Sequence, residues 1–170
     1  MDKMKKYLKS QRGLTLIELL AVVVILGIIS AIAIPSIGGL IDNSKKDAHV
    51  ANAQQMVNAA KMAVTGDESV EPTSGGSKII NLAYLEGNGF LETLKDPDRN
   101  TTGYKRANAS ASGTSESQDD SYVVINKDTN QKLSYKVKLV NTTRGVQTAG
   151  TGGKVAVTEN DLKRSSVINN

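Results

Sequence analysis

The chain contains no cysteine. A disulfide framework, a thiolate nucleophile and any zinc or iron–sulfur centre held by cysteine are therefore excluded. Packing and hydrogen bonds must brace whatever domain the chain forms. It has a single histidine, His49, with no serine elbow, zinc motif or Walker loop around it; it reads as a surface residue of a helix beside Asp47. Net charge is also missing over most of the chain. The net +4 resides wholly in residues 1–13, where Lys3, Lys5, Lys6, Lys9 and Arg12 stand against Asp2 alone. The balanced remainder has no overall pull on nucleic acid. The glycine-rich GTGG at 150–153 lacks the downstream lysine and the strand-to-helix setting of a phosphate loop. Asp119 and Asp120 lack an EF-type ligand spacing and read as solvated loop charge rather than a calcium site. No cofactor, no metal and no enzymatic activity are expected.

What the chain does have is a long apolar run. From Leu14 to Ile34 only Thr15, Glu18 and Ser30 are polar, and a helix of that length spans roughly 31 Å, the thickness of a bilayer's hydrocarbon core. Cations before the run and none within it place the N-terminus in the cytoplasm and the rest outside. A secretory signal peptide would use Ala31-Ile32-Ala33 as its cleavage site, but the run is too long, Glu18 interrupts it and Pro35 follows the cut. A plain anchor fits the length and leaves Glu18 unexplained. A carboxylate at the middle of a membrane helix costs about 2.5–3.5 kcal/mol, less near its end, and needs a partner. No cation lies within the run. Cleavage between Gly13 and Leu14 would create one, the α-amino group of Leu14, which the Glu18 of a neighbouring copy could meet.

The segment KSQRGLTLIELLAVVVILGIISAIAIP closely resembles the class III signal segment of type IV pilins and pseudopilins. The matches are a short basic leader ending in Gly13, an apolar first mature residue, Glu18 as the fifth residue after the cut and Pro35 as the twenty-second. The resemblance implies that a membrane-embedded prepilin peptidase cuts after Gly13 and methylates Leu14, where phenylalanine is commoner in the family. It further implies an α+β fold, with a long N-terminal helix, transmembrane in its lower half, packed under a small antiparallel sheet of about three strands. Partners would be other copies in a homopolymeric filament, the peptidase, the pilus assembly platform with its minor pilins, and the membrane before assembly. Nucleic acid as a partner has no support in the charge balance. A major pilin of an extracellular type IV pilus is the expected role. A minor pilin, a competence pseudopilin in DNA uptake or a type II secretion-like pseudopilin would share every N-terminal feature. The lack of cysteine looks more like Gram-positive members of the family.

The expected organisation is a cleaved leader over 1–13, a transmembrane and polymerisation helix over 14–35, and an amphipathic continuation over 36–65. A connecting region with short helical turns over 66–120 and a C-terminal sheet over 121–170 follow. Val50, Ala53, Val57, Ala60 and Val64 recur every three or four residues and mark one apolar stripe. With Gly66 as the stop, the helix would run from Leu14 to Thr65, roughly 78 Å if unbroken. Pro35 removes one helical hydrogen bond, so a kink or local melting is expected there. NLAYLEGNGFLETLKDPDR predicts one or two helical turns ending before Pro97, and its glycine–aromatic–leucine and Asp-Pro elements are similar to the passage after the long helix in pilins. The Ser-rich stretch 107–121 predicts an exposed loop. Tyr122–Ile125, the alternating KLSYKVKLV and KVAV at 154–157 predict three strands, with NKDTN as a hairpin turn. Lys127, Tyr135, Lys136, Lys138 and Arg144 read as the solvated side of a strand. Asn100, Asn108 and Asn141 head N-x-S/T triplets of the kind that arise by chance in such loops.

Overall fold

The computed structural model describes residues 15–107 and 119–170. They divide into two compact units, the first ending at Ile41 and the second beginning at Asp42. One helix, α1 (Leu16–Gly66), contributes to both. The hydrogen-bonded helix continues through Pro35, so the expected local melting does not occur here.

In the first unit the large apolar residues from Leu16 to Ile41 are 47–86% exposed. Among the described residues, nothing beyond the chain neighbours and the helix's own backbone lies within 4 Å of where a Cβ would stand on Gly27, Gly38 or Gly39. Among the described residues, this helix is the one long and apolar enough to cross a membrane, by length and composition.

The second unit is built on the amphipathic half of α1. Ala53, Met56, Val57, Ala60, Ala63 and Val64 form its buried face, close to the stripe expected from the periodicity. Met56 and Val57 are fully enclosed, each worth about 1.5–3 kcal/mol relative to exposure. The helix stops at Gly66, and Asp67 caps a short 3₁₀ turn (Glu68–Val70) by accepting from the Ser69 amide at 2.8 Å. Strand β1 (Ser77–Asn81) then leads into α2 (Leu82–Gly87), whose first turn is capped by Asn81 accepting from the Tyr84 amide at 2.7 Å.

Strands β2 (Tyr122–Lys127) and β3 (Leu133–Val140) form the expected hairpin. Its loop is closed by the Asp128 amide on the Lys132 carbonyl at 3.0 Å and by the Lys132 amide on the Asp128 carboxylate at 2.8 Å. The sheet is larger than the three strands expected. β4 (Arg144–Val146), β7 (Val157–Thr158) and β8 (Val167–Asn169) complete an antiparallel order β1-β2-β3-β4-β8, with β7 beside β3. β5 (Thr148–Gly150) and β6 (Gly153–Val155) form a separate ribbon, so the KVAV segment is shared between two sheets.

Val123, Ile125, Tyr135, Val137 and Leu139 face the helix in the main core. Ile79, Tyr122, Val124 and Ala156 form a smaller cluster of their own. The outer edge of β3 is divided: Lys136 and Val137 pair with β7, while Leu139 and Val140 pair with β4.

That division depends on Gly145. A Cβ there would lie 2.3 Å from the Leu139 carbonyl oxygen and 2.6 Å from the Val140 Cα. Both are backbone atoms that cannot step aside, so Gly145→Ala should cost about 3 kcal/mol of stability. Chemical unfolding followed by tyrosine fluorescence checks this, and an unchanged midpoint would remove the argument.

Two corrections concern charge. Lys138 is not on a solvated face: it is buried, with its Nζ donating to the Lys154 carbonyl at 2.9 Å and lying 5.9 Å from the centre of the Tyr122 ring. Arg144 and Tyr135 are buried as well, and only Lys136 of the expected set is exposed, with Lys127 half-buried. Ion pairs instead fasten the sheet side to the helix. Glu159 accepts from Lys61 at 2.6 Å and from Gln54 at 3.1 Å, and Arg164 pairs with Asp47.

Candidate functional site

Two arrangements stand out. The first is the start of α1. Four amides at a helix N-terminus lack partners within the helix, and Thr15 and Glu18 satisfy part of that need for each other. The Glu18 Oε2 accepts from the Thr15 amide and from the Thr15 hydroxyl, each at 2.8 Å, and the Thr15 Oγ1 accepts from the Glu18 amide at 3.3 Å. This is a capping box, Thr15 at the N-cap and Glu18 three residues on. The reading of Glu18 purely as an unsatisfied charge missed it, although the T-x-x-E spacing before an apolar run was visible. Gly13 and Leu14, the expected processing site, lie outside the described residues, as does Asn108. Pro35 lies inside α1.

From Leu16 to Ile34 the helix offers apolar surface with the carboxylate at one end and no other ionisable group. It can enter lipid or pack against like helices.

The second arrangement corrects the reading of His49. Its side chain is fully buried, not on the surface. The Asn52 Nδ2 donates to the Lys95 carbonyl at 3.0 Å and to the Tyr104 hydroxyl at 2.9 Å. Because that carbonyl can only accept, the amide orientation is settled, and the Tyr104 hydroxyl lies 2.8 Å from the His49 Nδ1. The His49 Nε2 then carries its proton toward the Asp98 Oδ2 at 3.0 Å.

Asp98 is held from the other side by Arg144, whose Nε and Nη2 donate at 2.8 and 2.5 Å, while Nη1 reaches Asp42 on α1 at 2.6 Å. Asn141 donates to Asp98 at 3.1 Å and to both oxygens of Asp96 at 2.9 and 3.0 Å. The Arg144 guanidinium holds the Asp98 carboxyl far below the usual range, aided by hydrogen bonds from His49 and Asn141 and opposed by burial. Asp42 is lowered by Lys46 and Arg144. Burial raises the Tyr104 hydroxyl.

His49, Asp96 and Asp98 place three ligand atoms within 4.8 Å of one another. A metal would have to compete with the bidentate guanidinium on Asp98 and take the His49 nitrogen that bears the proton. The group is a clasp with its own cation rather than an open centre. It also disposes of two glycosylation triplets: the Asn141 amide is committed to Asp96 and Asp98, and the Asn100 Nδ2 is buried. Asp119 pairs with Lys105 at 3.3 Å, as surface loop charge does.

A family model described as the prokaryotic N-terminal methylation motif matches residues 8–34. The matched segment contains Lys9 and Arg12 before Gly13, Leu14 itself and Glu18, and ends one residue before Pro35. No solved structure matches the chain.

Proposed function

We propose that this chain, which carries the N-terminal methylation motif that is the hallmark of the type IV pilin and pilin-like superfamily, is the major subunit of a type IV pilus filament. A long N-terminal helix with an antiparallel sheet on its second half is the general α+β architecture of that superfamily, and its role is structural rather than catalytic. In the proposed pathway the subunit enters the cytoplasmic membrane through Leu14–Ile34, with residues 1–13 inside. Prepilin peptidase cuts after Gly13 and Leu14 is methylated. An assembly platform then moves the helix from lipid into a filament displayed on the cell surface.

The observation that carries this reading is the match over 8–34 on a helix whose apolar side chains are exposed on every face. Lipid tails are as apolar as the helix, so leaving lipid gains little from hydrophobic burial itself. Close packing against other copies, and pairing of Glu18 with the Leu14 amine of a neighbour, must supply the difference. Pro35 weakens one turn of the helix and so gives it room to adapt on packing.

Mass spectrometry of sheared surface filaments tests the proposal. The chain should be their main component, with a mass beginning at methylated Leu14. A start at Met1 or at Ile34 would overturn it.

A further inference from the structure

The segment KDPDR, residues 95–99, is balanced in charge as a sequence. Folding sorts it. Asp96 and Asp98 turn their largely buried side chains inward to Asn141, His49 and Arg144. Lys95 and Arg99 are both exposed, and neither side chain has an ion pair or hydrogen bond among the described residues. Two free cations therefore flank two acids that already have partners.

The clasp also fixes where those cations stand. Asp98 lies 3.7 Å from the Lys45 Nζ, and Arg144 joins Asp98 to Asp42. Arg99 is the next residue, so the chain carries it close to the turn of α1 that follows Ile41. The exposed apolar residues of α1 extend from Leu16 to Ile41, roughly 39 Å of continuous helix. That is longer than the hydrocarbon core of about 30 Å and ends among the headgroups. Lys45, Lys46 and, through the clasp, Arg99 come immediately after.

The backbone adds an independent observation. Arg99 has φ +57°, in the left-handed region, where a side chain is strained and glycine or asparagine would sit at less cost. Its amide closes the turn on the Asp96 carbonyl at 3.0 Å, and nothing in that turn requires an arginine. Thr101 and Thr102, just beyond it, are exposed as well.

We propose that this face of the head, with Lys45, Lys95, Arg99 and the hydroxyls of Thr101 and Thr102, docks on anionic lipid headgroups while the subunit awaits assembly. This rests on the part of the reading above that puts the apolar helix in the membrane, and it gives the head a partner of its own. Lys45, Lys46, Lys95, Arg99, Arg144 and Arg164 stand here against Asp42, Asp47, Asp96 and Asp98. Lys46 is paired with Asp42, and Arg164 with Asp47, so the positive excess falls on Lys95 and Arg99. Attraction of such cations to an anionic bilayer reaches about one Debye length, roughly 10 Å. The contact is lost when the helix leaves lipid, so it holds unassembled subunits at the surface.

Full-length subunit in nanodiscs of phosphatidylcholine, alone or mixed with phosphatidylglycerol, provides the test. A spin label on the lipid headgroup broadens the signals of amides that come near it. Signals of residues 99–102 should broaden in the mixed discs, and much less in phosphatidylcholine or at high ionic strength. Arg99→Asn, which suits the left-handed backbone, and Lys95→Gln should each lower the ratio of docked to free heads about fivefold. Arg99→Lys should match wild type. Phosphate at matched ionic strength should displace the head no better than chloride.

Equal broadening in the two lipid mixtures, no response to Arg99→Asn and Lys95→Gln, an equal loss in Arg99→Lys, or preferential displacement by phosphate would each overturn the docking. Failure of the membrane reading looks different. The chain would then not enter the nanodiscs at all, and the docking would fall with it.

Discussion

Replacing Arg144 with alanine should destabilise the head by about 3–5 kcal/mol, because removing one partner strands a buried opposite charge. The Asp98 side chain is only 12% exposed and takes two of its hydrogen bonds from that guanidinium. Asp42 on α1 would lose its link to β4 in the same step. Asp98→Asn should cost less, since an amide can keep part of the network with His49 and Asn141.

The same clasp sets an acid dependence. The Asp98 carboxyl is lowered in the folded head by Arg144, His49 and Asn141, whereas in the unfolded chain it titrates near pH 3.9. A lowered group stabilises the fold fully above its unfolded value, and that contribution is lost as the pH falls toward its folded value. Unfolding midpoints should be flat from neutral pH to about pH 5 and should drop below that. In Asp98→Asn the acid drop should be shallower. Chemical unfolding at pH 7 and pH 3, followed by tyrosine fluorescence, reads both effects. An Arg144→Ala protein with a wild-type midpoint, or equal acid slopes in wild type and Asp98→Asn, would show that the clasp does not hold the head.

Glu18→Val should be cut after Gly13 and methylated at Leu14 as usual, yet yield at least about tenfold fewer filaments. Valine removes the cost of a charge in lipid and should insert at least as well, so a simple anchor would be improved by it. A polymer joint would be ruined. Counting sheared filaments alongside the N-terminal mass separates the two: normal filaments from the valine variant would remove the pairing of Glu18 with Leu14 from the account. The variant also loses the capping box with Thr15.

The parts of the molecule with a strong local signature were legible in advance. The apolar run with its single carboxylate pointed to a membrane helix, and the three-and-four spacing of Ala53, Val57, Ala60 and Val64 identified the face that meets the sheet. Alternation in KLSYKVKLV identified β3 and its inward residues. The strands that escaped were short or lacked a period. In β1, Ile79 and Ile80 are adjacent and enter two different clusters. β4 and β8 have three residues each, too few for alternation to register. His49 was misplaced because a lone histidine near Asp47 reads as a surface residue, and nothing close in sequence shows what buries it. Its partners Asp98 and Tyr104 lie 49 and 55 residues away.

Sequence alone pointed to the apolar segment long enough to cross a membrane and to the long helix, because both depend on composition or on contacts within one or two turns; the orientation and the cut are proposals drawn from the same stretch. Tertiary structure decided what charge is for. It turned Lys138, Arg144 and His49 from surface residues into buried ones, and it closed a cysteine-free head with a clasp between α1, the loop around Asp98 and β4. Whether a charge is solvated or paired depends on groups far along the chain, and only folding brings those within hydrogen-bond reach. Glu18 belongs to both accounts: its strangeness is written in the sequence, and the hydroxyl that holds it came to light with the helix start.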